Sequence, residues 1–143
     1  MAQPTPDKKS NASWPGNLLL FALLLVAPAW ALYRGLGPSF VTYAAGWLTA
    51  ISLLSFAVYG FDKNRAAKAG ERTPEAVLHL LELLGGWPGA FLGQRVFRHK
   101  TAKVPFQIVF WLIVLLYQAV AVDYLAGWPV TATIIAAVKG GAT

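Results

Sequence analysis

Apolar and polar positions fall in long blocks rather than short periods. Three blocks are long and apolar: Asn17 to Tyr33 and Ser39 to Phe61, of 17 and 23 residues, carry no charge, and Pro105 to Leu125, of 21 residues, carries only Asp123, near its far end. At a rise of 1.5 Å per residue they make helices of about 26–35 Å, matched to a hydrocarbon core of about 30 Å. Each predicts a membrane-spanning helix. Trp30, Tyr33, Tyr59 and Phe61 stand near the ends of the first two, where an interfacial aromatic belt is expected. Pro105 fits the first turn of the third, where a missing N–H costs nothing. Gly127-Trp128-Pro129 breaks that helix. Val130 to Val138 is nine residues, too short to cross, and reads as interfacial.

The block at 76–97 is apolar but interrupted. It carries His79, Glu82 and Arg95, and Gly85-Gly86-Trp87-Pro88-Gly89 cuts through it. Proline forbids a regular helix across that point. The pattern predicts two short helices, about 75–84 and 88–98, with Pro88 opening the second. Such a broken segment either crosses the bilayer or re-enters it.

Charge decides between the two. With a re-entrant hairpin and an inside N-terminus, the inner loops hold Lys8, Lys9, Lys63, Arg65, Lys68, Arg72, Arg98, Lys100 and Lys103, while Arg34 and Lys139 lie outside: nine against two. If the segment crosses, Arg98, Lys100 and Lys103 exchange sides with Lys139, giving seven against four. The excess of Lys and Arg on cytoplasmic loops favours the hairpin. Broken backbone at membrane depth also requires cover by protein or a wet cavity, which a hairpin packed among helices provides. Lys8 and Lys9 followed by Leu18–Val26 and Ala27-Pro28-Ala29 also resemble a cleavable leader. Trp30, Tyr33 and the second span that follows at once favour a retained helix.

Composition sharpens this picture. Of 143 residues, 57% are hydrophobic and 13% charged, with a mean hydropathy of +0.53. A soluble domain carries about 25% charged residues, so this chain lacks the polar surface of a soluble monomer. It contains no cysteine, which removes disulfides, zinc-thiolate and iron–sulfur sites and a thiol nucleophile. No nucleophile–base pair, Walker loop, GxSxG or HExxH is present, and no cofactor is implied.

Three constellations carry candidate chemistry. Gly89 and Gly93 are four apart on one predicted helix, a spacing that permits close helix approach. Glu75, His79 and Glu82 form a polar stripe at i, i+4 and i+7 on a Leu-rich helix. Ionisable groups at membrane depth mark functional sites, although pairing with Arg95 or Arg98 across the hairpin accounts for the stripe equally well. The third is the basic surface formed by the loops flanking the hairpin. Its net positive charge suits anionic headgroups, at about 1 kcal/mol per Lys or Arg. With no aromatic residue between Asp62 and Glu75 to stack a base, nucleic acid is disfavoured.

An ordered set of residues from Tyr59 to about Trp111 resembles the domain of unknown function 1294 family. The set reads Gly60-Phe61-Asp62-Lys63, Arg72-Thr73-Pro74-Glu75, Leu84-Gly85-Gly86-Trp87-Pro88-Gly89, Arg98-His99-Lys100, Lys103 and Phe106. The resemblance implies a small bacterial multi-pass membrane protein and no activity. Thr73 stands where the family pattern has a β-branched apolar residue.

The expected architecture is an all-α integral membrane protein. Residues 1–16 form a flexible cytoplasmic tail. The membrane domain, 17–125, has spans 17–33, 39–61 and 105–125 and a re-entrant hairpin at 76–97. Residues 126–143 form an interfacial tail. The expected place is the bacterial cytoplasmic (inner) membrane, N-terminus inside. The expected function is non-enzymatic: Asp62, Lys63, Arg72, Glu75, Arg98, His99, Lys100 and Lys103 bind anionic headgroups or a phosphate-bearing partner. The alternative is a small transporter or ion pathway through His79, Glu82 and the break at Gly85, Gly86, Pro88 and Gly89. A lipid-modifying enzyme is a third class and would need a pocket open to bilayer and cytoplasm. Self-association into a homo-oligomer stays open.

Overall fold

The computed structural model describes residues 14–71 and 73–141. Most of the expected N-terminal tail, with Lys8 and Lys9, lies outside the described residues, as does Arg72. Among the described residues the protein is entirely helical: α1 (Trp14–Gly35), α2 (Pro38–Ala67), α3 (Glu75–Leu81), α4 (Trp87–Phe97), α5 (Val104–Leu125) and α6 (Pro129–Gly140). A wide π-type turn, Glu82–Gly86, joins α3 to α4. Proline stands in the first turn of α2, α4, α5 and α6. Its fixed φ suits that position, and none of these helices is capped by the side chain of its own N-cap residue.

By length and apolar composition four segments are able to cross a membrane: Pro15–Gly35, Pro38–Ala67, Glu75–Phe97 and Val104–Leu125. The third is not straight. A continuous helix of 23 residues would separate its ends by about 34 Å. Instead Lys100 Nζ lies 2.9 Å from Glu75 Oε1, so the segment doubles back. The reversal falls at Gly85, whose φ of 108° is open to glycine and strained for other residues. The predicted pair of helices is therefore present, with the first shorter and the second starting one residue earlier than the pattern indicates.

Contacts set the levels of the bundle. The feet of the hairpin lie beside Asp62, near the end of α2, while its tip at Gly85 meets Leu48, 14 residues earlier. That span is about 21 Å of helix, and α2 continues ten residues past the tip to Pro38. Helices α1 and α5 run the full length in parallel. Asn17 meets Arg95 at the hairpin feet, Gln118 meets the Leu24 carbonyl midway, and Tyr124 meets Gly35 at the far end.

The core is built around the hairpin. Tyr59, Leu78, Trp87, Ala90, Phe91, Phe106, Phe110 and Val114 form one buried cluster. Six of the eleven residues of α4 are buried. By contrast, α6 buries none, and large apolar side chains of α1, α2 and α5 face outward. The hairpin sits this close because Gly89 and Gly93 lie against α2. An added Cβ at Gly89 would overlap the Ser52 carbonyl oxygen, and one at Gly93 would stand 3.0 Å from Tyr59 Cβ. The glycine spacing thus serves close packing, as its helical period implies.

Candidate functional site

The polar residues gather in two layers. The outer layer lies at the hairpin feet. Asp62 is fully buried and ties three segments together. Its Oδ1 accepts the Thr73 backbone N–H at 2.7 Å, and its Oδ2 lies 2.6 Å from His99 Nε2. His99 is held between two non-glycine residues in the left-handed region, Arg98 (φ 49°) and Lys100 (φ 64°). Such backbone is uncommon outside glycine, and here it turns one side chain onto Asp62 and the next onto Glu75. Glu75 Oε1 accepts from Lys100 Nζ at 2.9 Å and from Lys103 Nζ at 2.5 Å. These hydrogen bonds, from Lys103 first and Lys100 second, hold the Glu75 carboxyl down at about 2. Glu75 precedes the apolar segment, in the first turn of α3, where negative charge also suits the helix dipole.

The inner layer is buried within the bundle. Glu82 and Tyr59 are both fully buried. Tyr59 donates its hydroxyl to Glu82 Oε1 at 2.5 Å, and His79 Nδ1 lies 2.7 Å from Glu82 Oε2. Gln94 Nε2 donates to the Tyr59 hydroxyl at 3.2 Å, and Gln107 Nε2 donates to Gln94 Oε1 at 2.7 Å and to the Lys100 carbonyl at 3.0 Å. The His79 ring stacks on Phe106, centroids 4.3 Å apart. Each buried carboxylate, Asp62 and Glu82, thus faces one of the chain's two histidines. A buried polar group must be hydrogen-bonded, and both carboxyl groups meet that condition.

Two expectations from the residue pattern change here. Tyr59 is not an interfacial belt residue, because its hydroxyl is the buried partner of Glu82. Glu82 does not pair with Arg95 or Arg98. Arg95 stacks on the Phe91 ring, 3.4 Å from its centroid, and donates Nε to Asn17 Oδ1 of α1 at 3.0 Å. Arg98 caps α4 and is exposed.

At the tip, the turn leaves carbonyls without helical partners, and three donors meet them. Trp47 Nε1 bonds the Leu84 carbonyl at 3.1 Å, Tyr117 OH the Leu83 carbonyl at 2.6 Å, and Ser52 Oγ the Gly85 carbonyl at 3.5 Å. Where water is excluded each such group must find a protein partner. The break at Gly85, Gly86, Pro88 and Gly89 is thereby sealed, and Glu82 is not among the residues lining the adjacent cavity.

Of the eight residues expected to bind anions, the structure divides the described seven. Asp62, His99, Glu75, Lys100 and Lys103 form the internal clasp just described. Lys63 and Arg98 are exposed, and their side chains make no hydrogen bond or ion pair with a described residue. Arg65 and Lys68 share that condition on the last turns of α2. The pattern of the sequence did not pick out Tyr59, Gln94, Gln107, Trp47 and Ser52. A signal existed: Ser55, Tyr59 and Asp62 recur at helical spacing along α2 and mark the face that meets the hairpin. Within the described residues no group of three His, Cys, Asp or Glu is arranged to hold a metal ion.

Residues 52–106, which run from the packing face of α2 to the start of α5, match the model of a family described as protein of unknown function (DUF1294). Over 63 residues the chain is 38% identical to the uncharacterized protein YsdA of Bacillus subtilis (strain 168), covering 44% of this chain and 71% of that protein. No solved structure matches the chain. The matched stretch contains the hairpin, both of its feet and every residue of the clasp, and the chain belongs to the DUF1294 family.

Proposed function

We propose that this chain is a bacterial cytoplasmic-membrane protein with three spanning helices, α1, α2 and α5, and a re-entrant hairpin, α3–α4. Its N-terminus and hairpin feet face the cytoplasm. Its role is binding rather than catalysis: the basic end holds anionic lipid headgroups. One observation carries the reading. After Glu75 engages Lys100 and Lys103, four exposed cations at that end, Lys63, Arg65, Lys68 and Arg98, have no acidic partner among the described residues. Surface cations beside a bilayer attract anionic headgroups within a screening length of about 10 Å at 0.1 M salt. The opposite end supports the orientation, since it carries only two cations among the described residues, Arg34 between α1 and α2 and Lys139 on α6. Helix α6 lies at that end as an interfacial helix, started by the Asp123 carboxylate, which accepts the N–H groups of Val130 at 2.8 Å and Thr131 at 3.1 Å.

The test has two parts. In this cysteine-free chain, single cysteines at Ala67 and Ala102 are labelled with an impermeant thiol reagent in sealed vesicles. Equal accessibility is expected, and opposite accessibility rejects the hairpin topology. Headgroup selectivity is then read by electron paramagnetic resonance with spin-labelled phosphatidylglycerol against phosphatidylcholine. Lys63→Gln, Arg65→Gln, Lys68→Gln and Arg98→Gln together should abolish the preference. An unchanged preference rejects headgroup binding at this end. Arg98→Lys alone separates fork geometry, which lysine cannot supply, from charge alone.

A further inference from the structure

The hairpin turns back before the bundle ends, and nothing in the described chain fills the space beyond its tip. That space is a cavity of about 880 Å³ between α1, α2, the tip and the last turns of α5. None of its lining residues is charged. The polar groups nearest its floor are engaged, since the Gly85 and Leu83 carbonyls are met by Ser52 and Tyr117. A floor whose polar groups are already engaged offers ordered water no set of partners. Left empty, it would forfeit dispersion contacts along its whole lining. We infer that this cavity is a binding site for the hydrocarbon tail of a membrane lipid. The inference rests on the membrane placement proposed above.

Size, access and rim favour a lipid tail over a helix of a second copy. A helix is about 10–12 Å across, roughly 80 Å² or more in section, so the cavity takes about two turns of one. A crossing helix needs about 20 residues. A volume of this order lies within the range of small-molecule sites, about 300–1,000 Å³. Access is lateral: Leu53 lines the cavity and is itself 65% exposed, so the cavity is continuous with the outer apolar face of α2. The rim is amphipathic. Tyr124 and Trp128 pack edge to face with centroids 5.3 Å apart, and neither the hydroxyl nor the indole N–H has a hydrogen-bond partner among the described residues. Trp128 holds a left-handed backbone, φ 65°, which a bulky residue adopts at a cost. That conformation sets its ring against Tyr124 at the rim. Two unengaged donors there suit the ester and phosphate oxygens of a lipid whose tail runs inward to Trp87 and Pro88.

The test uses the full chain in nanodiscs of phosphatidylethanolamine and phosphatidylglycerol, doped with a lipid carrying a photoactivatable diazirine at its tail end. Adducts are mapped by mass spectrometry. The expected result is labelling at the tip on Pro88, the half-buried residue of the cavity floor, at a level comparable to the outward-facing Leu116. Trp87 is only 2% exposed and should take few adducts. Ala31→Phe, which fills the cavity from α1, should lower tip labelling several-fold and leave Leu116 unchanged. A phosphatidylcholine probe should label the tip equally, because the site reads the tail. Adducts on Leu116 with none at the tip overturn the inference while leaving the membrane placement intact. Absence of adducts on every face rejects the membrane placement instead. Tip labelling that is present with one copy per nanodisc and lost with two assigns the cavity to a second copy and also overturns the inference.

Discussion

The two halves of the bundle are built from the same three long helices yet differ in what lies between them. Around the hairpin, glycine brings backbones into contact, and buried polar groups are paired from Asp62 through Tyr59 to Gln107, with the Ser55 hydroxyl the exception among the described residues. Beyond the tip the same helices stand apart around an apolar cavity. Gly37 and Gly46, on that side, have open space where a Cβ would go, whereas Gly86 and Gly89 have backbone oxygens there. Close packing onto backbone in this protein is therefore a property of the hairpin, whereas Gly35 at the far end meets only the Tyr124 side chain. An apolar helix gains little from meeting another in hydrocarbon unless small residues and hydrogen bonds reward the approach. Only the hairpin half supplies both.

The largest expected effect comes from the glycine floor of that half. Gly89→Ala forces α4 off the Ser52 carbonyl and should lower stability by about 3 kcal/mol, the upper end of overpacking costs. Gly46→Ala, in open space on α2, should be neutral or stabilising by up to about 1 kcal/mol through helix propensity. Thermal melting in one detergent compares the two. Equal losses would erase the distinction between the halves.

Removing one hydroxyl from the buried network ranks next. Tyr59→Phe leaves Glu82 and Gln94 each short of a partner, at a cost of about 1–3 kcal/mol. Tyr124→Phe, at the cavity rim, should change the melting temperature little, because its hydroxyl has no partner within the described chain. A larger loss for Tyr124→Phe would place the decisive polar contact in the wrong half.

At the tip itself, Tyr117→Phe removes the donor to the Leu83 carbonyl and Trp47→Phe the donor to Leu84. Each should cost about 1 kcal/mol. Hydrogen exchange at the turn should rise in both, while the feet, held by the Asp62–His99 pair, stay protected. Spread of exchange to the feet would show that the hairpin opens as one unit.

The smallest effect is set by pH. Glu75 has a folded pKa of about 2, held below the ordinary carboxylate value of 4.5 by Lys103 and Lys100. A depressed carboxylate contributes stability that is full above its unfolded pKa and is lost as pH falls through the folded one. Melting temperature should therefore decline between pH 4.5 and about 2, and the part of the decline due to this group should vanish in Glu75→Gln. A variant with the same pH profile as the parent would remove Glu75 from the clasp.

Much of this was legible from residue order. Long apolar runs marked the long helices, prolines their starts, and Gly85-Gly86 with Pro88 the reversal. The loops rich in lysine and arginine pointed to the end where the feet emerge. Partner choice was not legible. Glu82 had Arg95 and Arg98 as plausible partners by sequence distance, and it chose Tyr59, 23 residues upstream. That choice depends on the depth at which the hairpin lies along α2, which the glycine contacts set.

By itself, the sequence determined composition, element boundaries and the position of the turn, because these depend on local properties: hydropathy, helix length and the backbone limits of proline and glycine. Tertiary structure alone decided which buried groups meet, that five of the expected anion-binding residues form an internal clasp, and that a cavity remains beyond the tip. Those outcomes depend on distances between segments far apart in the chain. A helical period records which face of a helix is polar, but not how deep its partner will sit.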